Sequence, residues 1–273
     1  MKRLLLALGL LLVPAKAFAT PQPLPFSYVY ETLPKGSIEV ETYVDYDPIR
    51  VRSASGPPIN YGATQFQTEF EYGITDRLEL GLYATIAPAS GDTAGYQDIP
   101  ALTEGTGVKE RLRLRFAEAG EWPVDLGIYG ELVETQREIE LEAKILLQRR
   151  IGDLRLVANL WAEREYENLD IHQGDWVVNP TLGATYQVTP LFHPGVESWL
   201  HAEFPDSNPP STFNNRPQVY VGPTMMFDFG NFWFTLAAYW RVTEAGRALD
   251  PGNGTPADAF GHIWGRMVVG LSF

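Results

Sequence analysis

An alternation of period two runs along almost the whole chain and limits what it can fold into more than any other feature. In "QTEFEYGITDRLELGLYATI" (67–86), Phe70, Tyr72, Leu78, Leu80 and Leu82 take one face, and Glu69, Glu71, Glu79, Gly81 and Tyr83 the other. Residues 73–77 form a tight turn between the two runs, so the stretch reads as a β-hairpin. The same alternation recurs at 38–46, 108–116, 124–134, 139–148, 154–165, 177–188, 195–204, 218–229, 232–242 and 261–273. About twelve segments result, each of roughly ten residues, the length a tilted strand needs to cross a bilayer.

The connections sort into two alternating classes. Short ones fall at 73–76, 117–123, 149–153, 189–194 and 230–231; long ones, rich in Pro, Gly, Asn, Asp and Ser, fall at 47–62, 87–107, 166–176, 205–217 and 243–260. The link at 135–138 is short where a long one is due. Short turns at one end and long loops at the other are how an outer-membrane barrel is built, with the short turns periplasmic.

The first residues, "MKRLLLALGLLLVPAKAFAT", have the charged start, apolar stretch and Ala17-Phe18-Ala19 cleavage pattern of a secretory signal peptide. Export across a bacterial inner membrane is therefore expected, with no disulfide framework, since the chain has no cysteine. A formal net charge of −13 argues against a nucleic-acid partner. Hydrophobic content of 45% decides nothing, because a barrel's lipid face is diluted by its polar lumen face.

The expected fold is all-β: a transmembrane antiparallel up-and-down β-barrel of about twelve strands, with ten or fourteen as alternatives. Residues 1–19 read as the cleaved signal peptide, 20–35 as a short periplasmic segment and 36–273 as the barrel. The apolar face then meets lipid, and closure pairs every backbone group. Phe116, Tyr186, Phe227, Phe234 and Phe273 are expected on the lipid face at the periplasmic end, and Tyr46, Phe66, Phe204 and Trp240 at the other. A soluble β-sandwich also alternates, but hairpin-only connectivity and the aromatic placement favour the barrel. A lipocalin-like barrel would put the carboxylates on the wrong face.

On the inward face, Arg111, Arg113 and Arg115 form a ladder along one strand, flanked by strands carrying Glu79 and Asp125; the turn at 117–123 is expected to bring Arg115 roughly opposite Asp125. Two readings stand: the charges neutralise one another and stiffen the wall, or they form a constriction that selects solutes. Inward aromatics are Tyr43, Tyr83, Tyr129, Trp161, Trp199, Tyr220, Tyr239 and Trp264. They either fill the lumen or line a path for an apolar or aromatic solute.

Catalysis is not expected, nor a cofactor or metal. Ser198 and His201 share a strand but face opposite sides, and no GxSxG occurs. Asp170, His172 and Asp175 are a donor set that polar loop composition explains equally well.

The last residues, "IWGRMVVGLSF", put Ile263, Met267, Val269, Leu271 and Phe273 on one face. This resembles the C-terminal signal read by the outer-membrane barrel-assembly machinery. Arg266 matches its polar position, Leu271 and Phe273 match its hydrophobic ones, and Val268 stands where the signal prefers glycine. The stretches "ETLPKGSIEVETYVDY" (31–46) and "FQTEFEYGITDRLELGLY" (66–83) resemble the opening strands of a proteobacterial outer-membrane transporter family named for the meta-pathway of phenol degradation. That resemblance implies a place in the outer membrane, among lipid and lipopolysaccharide, and passage of small hydrophobic or aromatic molecules. A non-conducting structural or surface-interaction barrel is the alternative, and an outer-membrane lipid hydrolase the remaining one.

Overall fold

Alternation that leaves no room for helices folds here into a single closed wall. The computed structural model describes residues 20–51, 59–86, 107–135, 138–167, 174–205, 217–243 and 262–273. Thirteen segments follow in chain order: β1 (Ile38–Val51), β2 (Ile59–Gly73), β3 (Leu78–Ile86), β4 (Gly107–Arg115), β5 (Asp125–Thr135), β6 (Glu138–Ile151), β7 (Leu154–Glu167), β8 (Asp175–Val178), β9 (Thr181–Tyr186), β10 (Phe192–Pro205), β11 (Gln218–Asp228), β12 (Phe232–Arg241) and β13 (Ile263–Ser272). Neighbours pair antiparallel, and β13 returns to β1 with Glu39 opposite Ser272 and Tyr46 opposite Gly265, which closes the sheet.

β8 and β9 both lie between β7 and β10, so they are two halves of one wall strand and the barrel has twelve. The break falls at Asn179-Pro180, where proline has no N–H to give the ladder. The wall stays bonded around it: the Asn179 N–H donates to the Trp161 carbonyl at 3.0 Å, and the Leu200 N–H to the Pro180 carbonyl at 3.1 Å.

The two faces differ as the alternation requires. Phe70, Leu82, Leu112, Ile128, Leu141, Ile145 and Leu160 are exposed, while Glu69, Glu71, Glu79, Arg111 and Glu142 are buried. Apolar outside and charged inside is the inverse of a soluble sheet, and lipid is the medium that makes it stable. Tyr46, Phe66, Phe204 and Trp240 are exposed near one rim, and Phe116, Tyr186 and Phe273 near the other. At that second rim Phe227 stacks on Phe234 and meets Phe192 at a tilt, with ring centroids 5.0 and 5.1 Å apart, a belt shared by three strands.

Residues 20–35 are where the structure departs most from the sequence reading. That reading set them outside the barrel on the periplasmic side; in the structure they run inside it, with Gln22 through Tyr30 buried. The segment reaches Glu197 and Asn159 at Phe26 and Tyr28, then passes Glu79 at Leu33 on its way to β1. Gly36, at φ 82°, makes the last turn into the wall, its N–H donating to the Gly73 carbonyl at 2.8 Å. Leu24, Phe26, Val29, Tyr30 and Leu33 are too apolar to remain in water when a lumen is at hand to bury them. Residues 1–19, read as the signal peptide, lie outside the described residues.

Candidate functional site: a plugged lumen

A non-repetitive segment inside a barrel cannot satisfy its backbone with a ladder, so its hydrogen bonds must go to side chains. The inward polar residues supply them. Asn159 takes the Tyr28 N–H on Oδ1 at 2.7 Å and returns its own amide to the Tyr28 carbonyl at 3.0 Å. Glu197 accepts the Phe26 N–H at 3.1 Å, Glu79 the Leu33 N–H at 2.6 Å and Glu39 the Thr20 N–H at 2.9 Å. Thr235 donates to the Gln22 carbonyl at 2.6 Å and Arg266 to the Pro25 carbonyl at 3.2 Å. Apolar seats complete the fit: Leu24 and Val29 pack with Val157, and Tyr28 and Tyr30 with Tyr129 and Leu146. Gly183 is small for this reason, since a Cβ there would stand 2.6 Å from the Leu24 Cδ1.

Where the segment leaves the lumen, Glu31 accepts from Gln148 at 2.9 Å and from Arg150 at 2.8 Å. Burial by itself would raise the Glu31 carboxyl, but Arg155, Arg150 and the Gln148 amide together hold it below the usual range.

The arginine ladder lies beside the descending limb. Arg111 is buried and ion-paired with Glu69 at 2.5 Å, with Glu79 at 2.7 Å and with Glu71. Arg113 pairs with Glu79 at 2.6 Å. Gly81 leaves the space that the Arg111 side chain crosses. Arg115 does not meet Asp125: the register puts it opposite Gly127, and its guanidinium goes to Glu118 at 2.5 Å, the Thr32 hydroxyl and the Asp76 carbonyl. Asp125 instead accepts the Gly120 N–H at 2.7 Å within its own turn. The first two rungs and Glu79 thus form one sealed network, while Arg115 and Asp125 belong to the rim.

Tyr43, Tyr83, Tyr129, Trp199, Tyr220, Tyr239 and Trp264 are buried on the inward face, and Trp161 is partly so. Tyr43, Tyr83, Tyr129 and Tyr239 put their hydroxyls to the acid network: Tyr43 donates to Glu41, Tyr129 to Glu131 and Tyr239 to Glu197, and the Tyr83 hydroxyl lies 2.9 Å from Arg111 Nε. The tryptophans gather elsewhere. Phe26 stacks on Trp199 at 4.6 Å and meets Trp264 edge-on at 5.7 Å, so the apex of the inserted segment carries an aromatic platform. Above that platform is a cavity of about 160 Å³, lined by Phe26, Tyr28, Trp161, Trp199, Trp264 and a set of charged residues from β4 to β7.

Arg266, the polar residue of the C-terminal pattern, faces the lumen, where it donates to Asp45 at 2.6 and 3.0 Å and lies 3.8 Å over the Phe26 ring. Leu271 and Phe273 are exposed on the outer face, and the Phe273 N–H donates to the Ile38 carbonyl at 2.8 Å across the closing seam. His201 faces the cavity, with Nδ1 at 2.8 Å from Asn179 Oδ1. Of the loop donors, Asp170 and His172 lie outside the described residues.

Sequence reasoning missed Asn159 and Gly183, and it placed Glu197 on the inward face without its role; all three hold the inserted segment. A signal was present: apolar Leu146 and Val157 stand on the inward face, and the run at 21–34, "PQPLPFSYVYETLP", is rich in aromatic and apolar residues.

Over residues 16–256 the chain matches the model of a family of unknown function (DUF6662), and it belongs to that family. No curated protein matches it. Among solved structures it is similar to the COG4313 outer membrane channel from Pseudomonas putida F1, with 14% identity, a TM-score of 0.61 and 89% of this chain and 98% of that chain covered. It is also similar to the NanC porin (10% identity, TM-score 0.49, 86% and 98% covered) and to the KdgM porin (8%, 0.48, 87% and 98%). At such identities the first likeness is one of fold, that of an outer-membrane barrel, in agreement with the apolar outer face; the two porins are too distant to carry an argument. The meta-pathway resemblance is carried by the opening strands alone.

Proposed function

We propose that this member of the DUF6662 family is a plugged outer-membrane channel for small hydrophobic or aromatic molecules, with residues 20–35 as the plug. One observation carries the reading: an aromatic-lined cavity lies directly on the apex of a segment that only side chains hold in the lumen. Passage requires that apex to move, and side-chain-to-backbone bonds can be exchanged for water one at a time, unlike a strand ladder. A cavity of this volume suits a molecule with a single ring, since a site of about 150 Å³ accepts benzene. Barrel-assembly machinery, lipid and lipopolysaccharide are the partners such a protein requires in its membrane.

Planar-bilayer recording and liposome uptake of single-ring aromatics, for the intact protein and for a variant lacking residues 21–34, test this. The expected result is a small or intermittent conductance that becomes large and steady without the plug. A variant that folds, judged by heat-modifiable gel mobility, and stays silent and impermeable would leave the non-conducting barrel as the reading.

A further inference from the structure

The inserted segment starts on a buried acid. Glu39, at the beginning of β1, is fully buried, and both of its carboxylate oxygens are engaged. Its Oε1 accepts the Trp233 indole N–H, and its Oε2 accepts the Thr20 N–H at 2.9 Å. The seat is shaped for this contact: Trp233 is fully buried, and Gly270 leaves the room its ring needs, since a Cβ there would collide with the indole. Two residues along, the Thr235 hydroxyl donates to the Gln22 carbonyl at 2.6 Å. The segment is thus fastened across β12, β13 and β1, where the barrel closes.

The nitrogen on Glu39 is no ordinary position in the chain. Ala17-Phe18-Ala19 is the small-x-small pattern after which a signal peptide is cut, and it sets the cut between Ala19 and Thr20. One observation from the sequence and one from the fold therefore fall on the same atom. Hydrolysis by a signal peptidase adds water across the Ala19–Thr20 amide: its oxygen goes to the Ala19 carboxylate, and the Thr20 nitrogen leaves as an amine. An α-amine with an ordinary pKa of about 8 is an ammonium at neutral pH, and a carboxylate in contact favours that form. The neutral contact then becomes a charge-assisted one, which is stronger. Arg113, the cation that also acts on Glu39, is itself ion-paired with Glu79 at 2.6 Å.

We infer that Glu39, positioned by the Trp233 indole, is the receptor for the chain's own processed N-terminus: the Thr20 ammonium docks on its carboxylate, and this ion pair locks the plug in the lumen. The unprocessed chain has a neutral amide there, with Ala19 bonded to the same nitrogen, so the lock forms only on cleavage. The lock acts on the plug of the channel proposed above and rests on that reading only for what the plug controls, since docking does not require conduction.

The test is reductive methylation of the folded protein purified from outer membranes, with the modified amines located by peptide mass. Intact mass should place the first residue at Thr20. The Thr20 amine should react roughly tenfold or more slowly than that of Lys35, which is exposed and serves as internal standard. Glu39→Gln keeps the shape of the seat and removes its charge. Thr20 should then react about as fast as Lys35, and proteolysis within 21–34 should speed up roughly tenfold, as the open population grows. If that variant fails to fold, barrels refolded from chains that begin at Thr20 and at Ala19 make the same comparison. The extra residue carries the ammonium past Glu39, so only the first should be protected. A chain that begins elsewhere, a Thr20 amine as reactive as Lys35, or protection that survives Glu39→Gln or the added Ala19 overturns the inference. A protected Thr20 in a barrel that stays silent after plug deletion overturns the channel and leaves the lock standing.

Discussion

Two carboxylate triads in this lumen have the same composition and the same tight spacing but opposite surroundings. The oxygens of Glu41, Glu69 and Glu71 lie within 4.8 Å of one another, as do those of Glu140, Glu163 and Glu165. The first triad is crossed by Arg111, with Arg113 next to it, packed under the plug and closed to water. The second opens onto a cavity whose floor is the plug's own apex. Charge of one sign is therefore not a signature of function in a barrel wall. What distinguishes the two is their setting: the first is sealed around a guanidinium, and the second borders a cavity.

The comparison breaks most directly at Arg111. Replacing it with Met leaves Glu69, Glu71 and Glu79 buried with a single guanidinium, which should cost about 3–5 kcal/mol. Glu163→Gln in the open triad relieves repulsion and should change stability by less than about 1 kcal/mol. Urea unfolding in lipid vesicles reads both; equal costs would make the triads equivalent and sink the distinction. The facing of the wall is checked on its two sides: Leu141→Arg, in hydrocarbon, should cost about 2–4 kcal/mol in the same titration and the lumen-facing Gln67→Arg far less.

Whether the cavity floor belongs to the plug is tested at Gly183. Valine there collides with Leu24 and should cost about 1–3 kcal/mol as overpacking. Because the plug is the part that can yield, protease access to residues 21–34 and conductance should both rise, and an unchanged digestion pattern would count against a displaceable plug. The smallest effect expected is at the plug's exit. The Glu31 carboxyl is held low in the folded protein, so its contribution is present above its unfolded value of about 4.3 and is lost as pH falls below it. With Arg150 half-exposed, the effect should be about 1 kcal/mol or less. Glu31→Gln should therefore differ from the wild type at pH 7 and match it near pH 3; a difference that persists in acid would assign the anchor to something other than the ion pairs.

Much of the wall was legible in the sequence because facing is a local property. Glu79 and Leu80 can be assigned to opposite sides from their own neighbours, and so can Tyr129 and Ile128. The terminal strand was legible too, as Leu271 and Phe273 follow the same alternation. What lay beyond such reading involves partners distant in the chain. The Arg115–Asp125 pairing failed because a long turn allows more than one register, and the one adopted sets Gly127 opposite Arg115. The inward facing of Arg266 follows from the alternation, while its contacts, Asp45 and Phe26, are more than two hundred residues away in sequence.

By itself, then, the sequence determined a closed antiparallel barrel with lipid on its apolar side. A period of two repeated across a bilayer's thickness permits few other structures in which every backbone group is paired. The tertiary structure alone decided what occupies the lumen. Residues 20–35 have no period to betray their place, and their hydrogen bonds go to Glu39, Glu79, Asn159, Glu197 and Thr235 on strands around the barrel. Those side chains converge only after the wall has closed, and the same closure seals one carboxylate triad under arginine and leaves the other facing open space.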